Sequence, residues 1–352
     1  MLQRRFSNTP QTKEQRAVGT GDKILLYTDD EVGTSPIDLG EALHVKTRED
    51  GQVLYLDATA NFTVANLNKL WNNEGAHLVF QNSTVTIGKA RKNTNFVNQY
   101  LIEANEVADY TVFVSKWLME TYLSQGLNEK NNTVILGGAN SNIFNPSGFK
   151  PWDRKSKLKI VTHHWGAHWN KGFEIYEKLD QMIGDSNYKD KIEFCYIGNL
   201  PNKFKFRNSQ TIKPLSGEAL SNEIKKNHLY LTASINEPSG NHHIEAAQCG
   251  LPILYINSGG TPEYCEGYGI EFNNSNFEEK LNEFILNYDS ILSNLKNYPY
   301  NSEIMCEKYF NLFLEIFENR ENIVENRSGF DRIGYFDQSI FLLSRKINKY
   351  LK

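Results

Sequence analysis

Short apolar runs separated by glycine, asparagine and charged residues set the texture of this chain, and their spacing changes twice along its length. The first 20 or so residues are polar and without period, as expected of a mobile arm. From Asp22 the pattern becomes β-like. Lys23 to Tyr27 is a short apolar run, and Leu43 to Thr47 and Gln52 to Leu56 flank Glu49-Asp50-Gly51. An Asp-Gly pair between two such runs predicts a hairpin, because glycine accepts the positive φ of a tight turn. Residues 22 to about 60 therefore read as a small β-rich module.

Near Asn72 the texture changes. Ala76 to Phe80 predicts a strand, Asn93 to Ala108 a helix, Tyr110 to Ser115 a strand, Lys116 to Gln125 a helix and Thr133 to Leu136 a strand. The turn formers from Asn145-Pro146-Ser147-Gly148 to Pro151-Trp152 mark an expected domain boundary. Beyond it the alternation is more regular: strands at Lys159 to Thr162, Ile192 to Ile197, Leu229 to Ala233 and Pro252 to Ile256, with helices at Gly172 to Ile183, Glu218 to Lys226 and Ile244 to Cys249. Helices from Phe277 onward close the chain. Strands alternating with helices predict parallel, Rossmann-like sheets, with ligands beyond the carboxyl ends of the strands.

Composition narrows the class. With 352 residues, 39% of them hydrophobic, the chain has material for two cores. A formal net charge of −4 excludes a globally basic nucleic-acid binder. No apolar run approaches a membrane span, and Met1 to Gln15 lacks the apolar segment of a secretory signal. Cys195, Cys249, Cys265 and Cys306 show no close pairing and read as buried small positions in a reducing compartment, so the expectation is a cytoplasmic α/β protein.

The richest stretch in chemistry runs from Ser234 to Pro252. It follows a strand, passes through a glycine-containing loop and opens a helix, so backbone N–H groups and the positive helix end face whatever lies above, which favours phosphate. Glu237 lies in the loop and Glu245 eight residues on, inside the helix. Two carboxylates flanking an anion-binding helix start suit the hydroxyls of a phosphorylated sugar; equally, a glutamate near a helix N-terminus is stabilising whatever the function. The histidines at 163, 164, 168, 242 and 243 have two readings, loop residues around an aromatic core or a metal site. The second lacks the paired-cysteine or helical His-x3-His spacing.

Glu-x7-Glu followed by Ala246-Ala247-Gln248-Cys249-Gly250-Leu251-Pro252 resembles the signature of family-4-type retaining glycosyltransferases of the GT-B architecture. Lys159 through His163-His164 to Lys171-Gly172-Phe173 is similar to that family's strand–loop–Lys-Gly phosphate element. Tyr196-Ile197-Gly198-Asn199 and Lys213-Pro214-Leu215-Ser216 resemble the two segments that enclose the nucleotide base. Ser258-Gly259-Gly260-Thr261-Pro262-Glu263 resembles the Gly-Gly-x-Pro-Glu loop, and Gly138-Ala139-Asn140 to Phe144-Asn145-Pro146 the entry into the donor domain. The resemblance covers about residues 108 to 275.

It implies two facing Rossmann-like domains, the first shortened to residues 75–150 behind a β-rich extension (1–74), with a donor-binding domain at 151–320 and a helical tail at 321–352. It implies transfer of a sugar from a nucleotide-diphosphate donor to a glycan or lipid-linked acceptor with retention, using no cofactor and no metal. Glu245 would bind the ribose, Glu237 the transferred sugar, and the Gly240-Asn241-His242 amides the sugar and diphosphate. Gly198, Leu215 and Gly260 would line the rest of the donor site. Lys171 would stabilise the leaving diphosphate, and His164 would stand where the family often has arginine. The unmatched N-terminal half leaves two alternatives open: a catalytically weak glycan- or nucleotide-binding protein, or a sugar-nucleotide epimerase of the same fold. His77 and the Lys89-Arg91-Lys92 cluster would face the cleft, or be solvated charge. Cys249 reads as helix packing. The tail from Ser339 to Lys352, apolar at Ile340, Phe341, Leu343 and Ile347 and basic at Arg345, Lys346, Lys349 and Lys352, suits either an anionic membrane surface or docking on the protein.

Overall fold

The computed structural model describes residues 110–319, the backbone of strands at 53–57 and 77–82, and a few isolated positions. Two parallel sheets organise them. The first holds β1 (Val53–Asp57), β2 (His77–Asn82), β3 (Tyr110–Phe113) and β4 (Asn132–Val134) in the order β1-β2-β3-β4. The second holds β5 (Leu158–His164), β6 (Ile192–Gly198), β7 (Gln210–Ile212), β8 (Leu229–Thr232), β9 (Ile253–Ile256) and β10 (Gly269–Phe272) in the order β10-β9-β8-β5-β6-β7. Helices α1 (Lys116–Leu123), α2 (Phe173–Gly184), α3 (Gly217–Ile224), α4 (Asn241–Gln248), α5 (Thr261–Cys265), α6 (Phe277–Leu295) and α7 (Ser302–Glu318) connect and follow the strands.

The second sheet is covered on both faces, which explains its near-continuous apolar strands. Alternate residues divide cleanly between two cores. Ile160, Phe194, Tyr196, Leu231 and Leu254 pack under α2 and α6, against Phe173, Tyr176, Leu281 and Phe284. Val161, Cys195, Ile197, Tyr230 and Ile253 pack on the other face with Leu220 of α3, Ile244 and Ala247 of α4, and Tyr264 of α5. Cys195, Cys249 and Cys265 are free, buried thiols, as expected, and burial pushes the first two up to about 12.

Three differences from the sequence reading concern the first half. Residues 53–57, expected in a hairpin with Leu43 to Thr47, pair in parallel with 77–82, with Val53 opposite His77. The strand is thus part of the first sheet, and a division at residue 74 would cut between neighbouring strands. The hairpin partner, the run at 23–27, the N-terminal arm, nearly all of the helix expected at 93–108, the Lys89-Arg91-Lys92 cluster and the tail from Ser339 lie outside the described residues, as does the side chain of His77. The passage between the sheets comes earlier than the turn-rich boundary at 145–151. Ala139 and Phe144 are already buried in the second domain's core.

The chain crosses back beside that passage. Ala139 and Asn301 form an isolated parallel bridge, and the Ser302 N–H donates to the Ala139 carbonyl at 2.8 Å. A Cβ at Gly138 would collide with the Asn301 backbone, so glycine is required where the two crossings touch. From there α7 runs against β1 of the first sheet. No helix among the described residues is long and apolar enough to cross a membrane.

Candidate active site

The order of the second sheet reverses between β5 and β8: β6 and β7 extend one way, β9 and β10 the other. The carboxyl ends of β5 and β8 therefore splay apart into a crevice, the place where open α/β sheets bind ligands. The Lys159-to-Gly172 and Ser234-to-Glu245 segments both end there.

Glu237 is positioned from two sides. The Ile235 N–H donates to the Asn170 carbonyl at 2.8 Å, which ties its loop to the segment after β5. On the other side the Asn236 N–H donates to Ser258 Oγ and the Gly260 N–H to the Glu237 carbonyl, both at 2.8 Å. Asn236 holds a φ of 52°, a left-handed value that asparagine tolerates better than most residues. A Cβ at Gly259 would strike the Glu237 backbone, which explains the first glycine of that loop. The Glu237 carboxylate then meets Lys171 Nζ at 2.5 Å, in a pair that is mostly but not wholly shielded from water. Lys171 closes a 3-10 turn (Trp169–Lys171), and Gly172 (φ 99°) starts α2 against the Ala233 backbone.

Between these groups α4 begins. Its N-cap, Gly240, has a φ of 79° and no side chain with which to cap the helix, so the first-turn amides, those of Asn241 and His242 included, are left for a ligand. A Cβ at Gly240 would run into the His243 ring. Further along, Glu245 turns inward. It is 2% exposed, its Oε2 lies 2.6 Å from His163 Nε2, and its Oε1 is buried with no partner. Burial raises its carboxyl above the usual range, opposed by the His163 hydrogen bond.

Four of the five histidines, at 163, 164, 242 and 243, form one buried cluster, while His168 is exposed in the loop after β5. His242 stands edge-on to His164, with ring centroids 4.5 Å apart, and to His243 at 5.0 Å. His242 Nε2 lies 2.8 Å from Thr232 Oγ1, and His164 Nε2 lies 2.8 Å from the Tyr176 hydroxyl. Burial, with a smaller push from Lys171 and neighbouring imidazoles, drives His164 and His242 well below the ordinary histidine range and His243 to about 3. His164 thus turns its Nε2 to the protein interior, and burial favours its uncharged form. Among the described residues no group of three or more His, Cys, Asp or Glu side chains is arranged to hold a metal ion.

Gly198, Leu215 and Gly260 sit at the carboxyl edge of the same sheet. Gly198 pairs with His164 in the β5–β6 register, and a Cβ there would collide with the His164 carbonyl. Leu215 lies between β7 and α3, partly buried against the α3–α4 side of the core. Gly260 packs against Ser115 at the start of α1. The structure thus gathers Lys171, Glu237 and the α4 N-terminus around one crevice, with Glu245 on the inner side of α4 and the three others at the sheet's edge. Sequence reasoning missed the bond between His163 and Glu245. Strand alternation held the signal, since His163 shares the parity of Val161 and so faces α4.

Residues 182–301 match the family model of glycosyl transferases group 1. No curated protein sequence matches the chain. Among solved structures, TarM is 14% identical and superposes with a TM-score of 0.55 over 76% of this chain and 55% of its own, so the chain spans just over half of that protein. A glycosyltransferase from Rickettsia africae is 15% identical, with a TM-score of 0.56 over 76% of this chain and 77% of its own. HepE from Anabaena, solved in complex with UDP-glucose, is 14% identical, with a TM-score of 0.58 over 75% of this chain and 79% of its own. At such identities the likeness shows the fold, which is that of GT-B glycosyltransferases.

Proposed function

We propose, from the match of residues 182–301 to the model of glycosyl transferases group 1, that this chain transfers a sugar from a nucleotide-diphosphate donor to a glycan or lipid-linked acceptor, with retention at the anomeric carbon. The observation that carries the reading is the Lys171–Glu237 pair, set beside the side-chain-free N-terminus of α4 at the switch point of the sheet. Anion-binding amides, one ammonium and one carboxylate converge where a sugar diphosphate has its two chemically distinct halves.

In this reading the α4 amides and Lys171 take the diphosphate, and their positive charge grows in effect as the glycosidic bond breaks and negative charge collects on the leaving oxygen. Glu237 exchanges its bond to Lys171 for sugar hydroxyls, so donor binding separates a pair that satisfies itself beforehand. The departing phosphate takes the proton of the incoming acceptor hydroxyl on the same face, which leaves no task for a general base. The neutral histidines beneath the loop suit this, since none is bonded as a base towards the crevice. Lys171 and the helix end take the part that a metal plays in other diphosphate sites, so metal independence belongs to the proposal, as do cytoplasmic placement and peripheral membrane contact through the tail.

The test is a panel of nucleotide sugars against the purified protein in excess chelator. A true donor at one hundred times its Kd stabilises the fold by about 2.7 kcal/mol, read as a rise in Tm, and is consumed only when an acceptor glycan is added. Consumption without acceptor would make the protein an epimerase or hydrolase, and strict dependence on added Mg²⁺ or Mn²⁺ would reject the metal-independent mechanism.

A further inference from the structure

Glu245 presents an unusual combination. Its side chain is almost wholly buried, one carboxylate oxygen is bonded to His163 at 2.6 Å, and the other has no partner at all. A buried carboxylate oxygen left unpaired is costly, and in a folded protein it calls for a specific reason, a functional role among them. What holds the carboxylate in this attitude is legible one step further back. The Tyr230 hydroxyl accepts the His163 backbone N–H at 3.1 Å and lies 3.1 Å from His163 Nδ1. Its only other acceptor on that residue, the His163 carbonyl, is at 3.5 Å. Assigning the Tyr230 proton to Nδ1 puts the imidazole proton on Nε2, facing Glu245 Oε2.

We propose that His163, oriented by Tyr230, is a positioning residue for Glu245: it locks Oε2 to the protein so that Oε1 is offered to the ribose hydroxyls of a nucleoside diphosphate. The proposal rests on the donor-site reading given above. All three members of the chain are pinned by the scaffold. Tyr230 is on β8 and fully buried, His163 is the penultimate residue of β5, and Glu245 lies on α4. The chain thus crosses from β8 to β5 to α4 at the point where the sheet order reverses. Hydrogen bonds involving a charged group hold orientation more firmly than neutral ones, and a carboxylate free to rotate would bond to whichever donor came nearest.

The experiment measures calorimetric affinity for uridine, guanosine and adenosine diphosphates, takes the tightest, and repeats the titration with its 2′,3′-dideoxy counterpart. Three proteins are compared: the unaltered chain, His163→Leu and His163→Gln. Glutamine can place an amide N–H where Nε2 stands, whereas leucine cannot. The expected result is that His163→Leu weakens the ribonucleotide about tenfold and leaves the dideoxy compound unchanged, while His163→Gln recovers most of the loss. The dideoxy titration doubles as the check that each variant is folded and its diphosphate site intact. Equal weakening of both nucleotides by His163→Leu would reduce His163 to a packing role, and failure of glutamine to rescue would remove the hydrogen bond as the cause. Either result overturns the inference and leaves the transferase reading standing. Equal affinity of the unaltered protein for ribo and dideoxy forms would overturn the ribose assignment of Glu245. If the unaltered protein bound none of the three diphosphates, the donor-site reading itself would fall.

Discussion

Glu237 and Glu245 are eight residues apart, yet the structure gives them different work. The loop before α4 is a surface device: Glu237 is held by its backbone from two neighbouring loops and bonds through its carboxylate to Lys171, at the edge of solvent. The inner face of α4 is an interior device, where Glu245 meets His163 inside a cluster of buried imidazoles and tyrosines. The first arrangement can open and re-form around a ligand at little cost, because water and a mobile lysine are at hand. The second cannot. A short spacing in sequence therefore joins a contact built for exchange to one built for rigidity.

The contrast is sharpest in its response to acid. His164, His242 and His243 are kept uncharged in the fold, with His243 lowered to about 3, while in the unfolded chain all three titrate near 6.5. Groups whose folded pKa is depressed contribute stability that is present above the unfolded value and lost as pH falls towards the folded one. Here the unfolded state binds more protons than the folded one as pH falls below about 6.5, so stability should drop with acidification, offset in part by the raised Glu245 carboxyl. Denaturant titrations between pH 7.5 and 5 would show it, and a flat profile would mean that the interior face is wetter than its geometry indicates.

The second test separates the two carboxylates directly. Glu237→Ala should cut kcat by about 10²–10³, the usual loss when a group meeting developing charge is removed. It should not weaken free nucleoside diphosphate, because Lys171 is released from its ion pair and becomes more available to phosphate. Glu245→Ala should instead cost about 1.5–3 kcal/mol of nucleotide affinity with kcat less affected, since ribose is remote from the breaking bond. Matching losses in both variants, on both measurements, would dissolve the distinction.

How far such a contrast could be read beforehand depended on the signal each part carries. Strands with one or both faces buried announce themselves through period and apolar content, so β5, β6, β8 and β9 and the helices between them stood close to where they were expected. The edge strand β7, Gln210-Thr211-Ile212, has no buried residue and hence no pattern to see. The five-residue α5 begins at Thr261-Pro262 and reads locally as a turn. Within the site, Lys171, Glu237 and Glu245 were visible because motif spacing marks them. His164 shares parity with Ile160 and Thr162, and that alternation already places it under α2 beside Tyr176. Turn-forming composition marks the loop at 145–151, whereas Phe144 packs into the second core regardless of the prolines after it, within the 138–146 entry that the resemblance implies.

The smallest expected effect concerns how the Glu237 side is tied to the rest of the molecule. Gly260, whose N–H supports the Glu237 carbonyl, leads into Glu263, and the Glu263 carboxylate accepts the N–H groups of Lys116 at 2.7 Å and Trp117 at 2.8 Å. A side chain of the second domain thus caps the first helix after β3, satisfying two amides that α1 cannot pair internally. Next to it the Tyr264 hydroxyl donates to the Val114 carbonyl and accepts from Gly137 N and Ser239 Oγ. One hydroxyl therefore joins the end of β3, the passage between the domains and the loop before α4. Glu263→Gln keeps the size of the side chain but turns one of its two acceptors into a donor that faces an N–H. Loss of such a cap costs about 1 kcal/mol, to be read as a lower urea midpoint with unchanged nucleotide affinity. Because the carboxylate also sits at the positive end of α1, the gap between the two proteins should narrow in 1 M salt. A midpoint shift several times larger would mean that Glu263 couples the two domains rather than merely capping one helix, and no shift would mean that water replaces the cap at no cost.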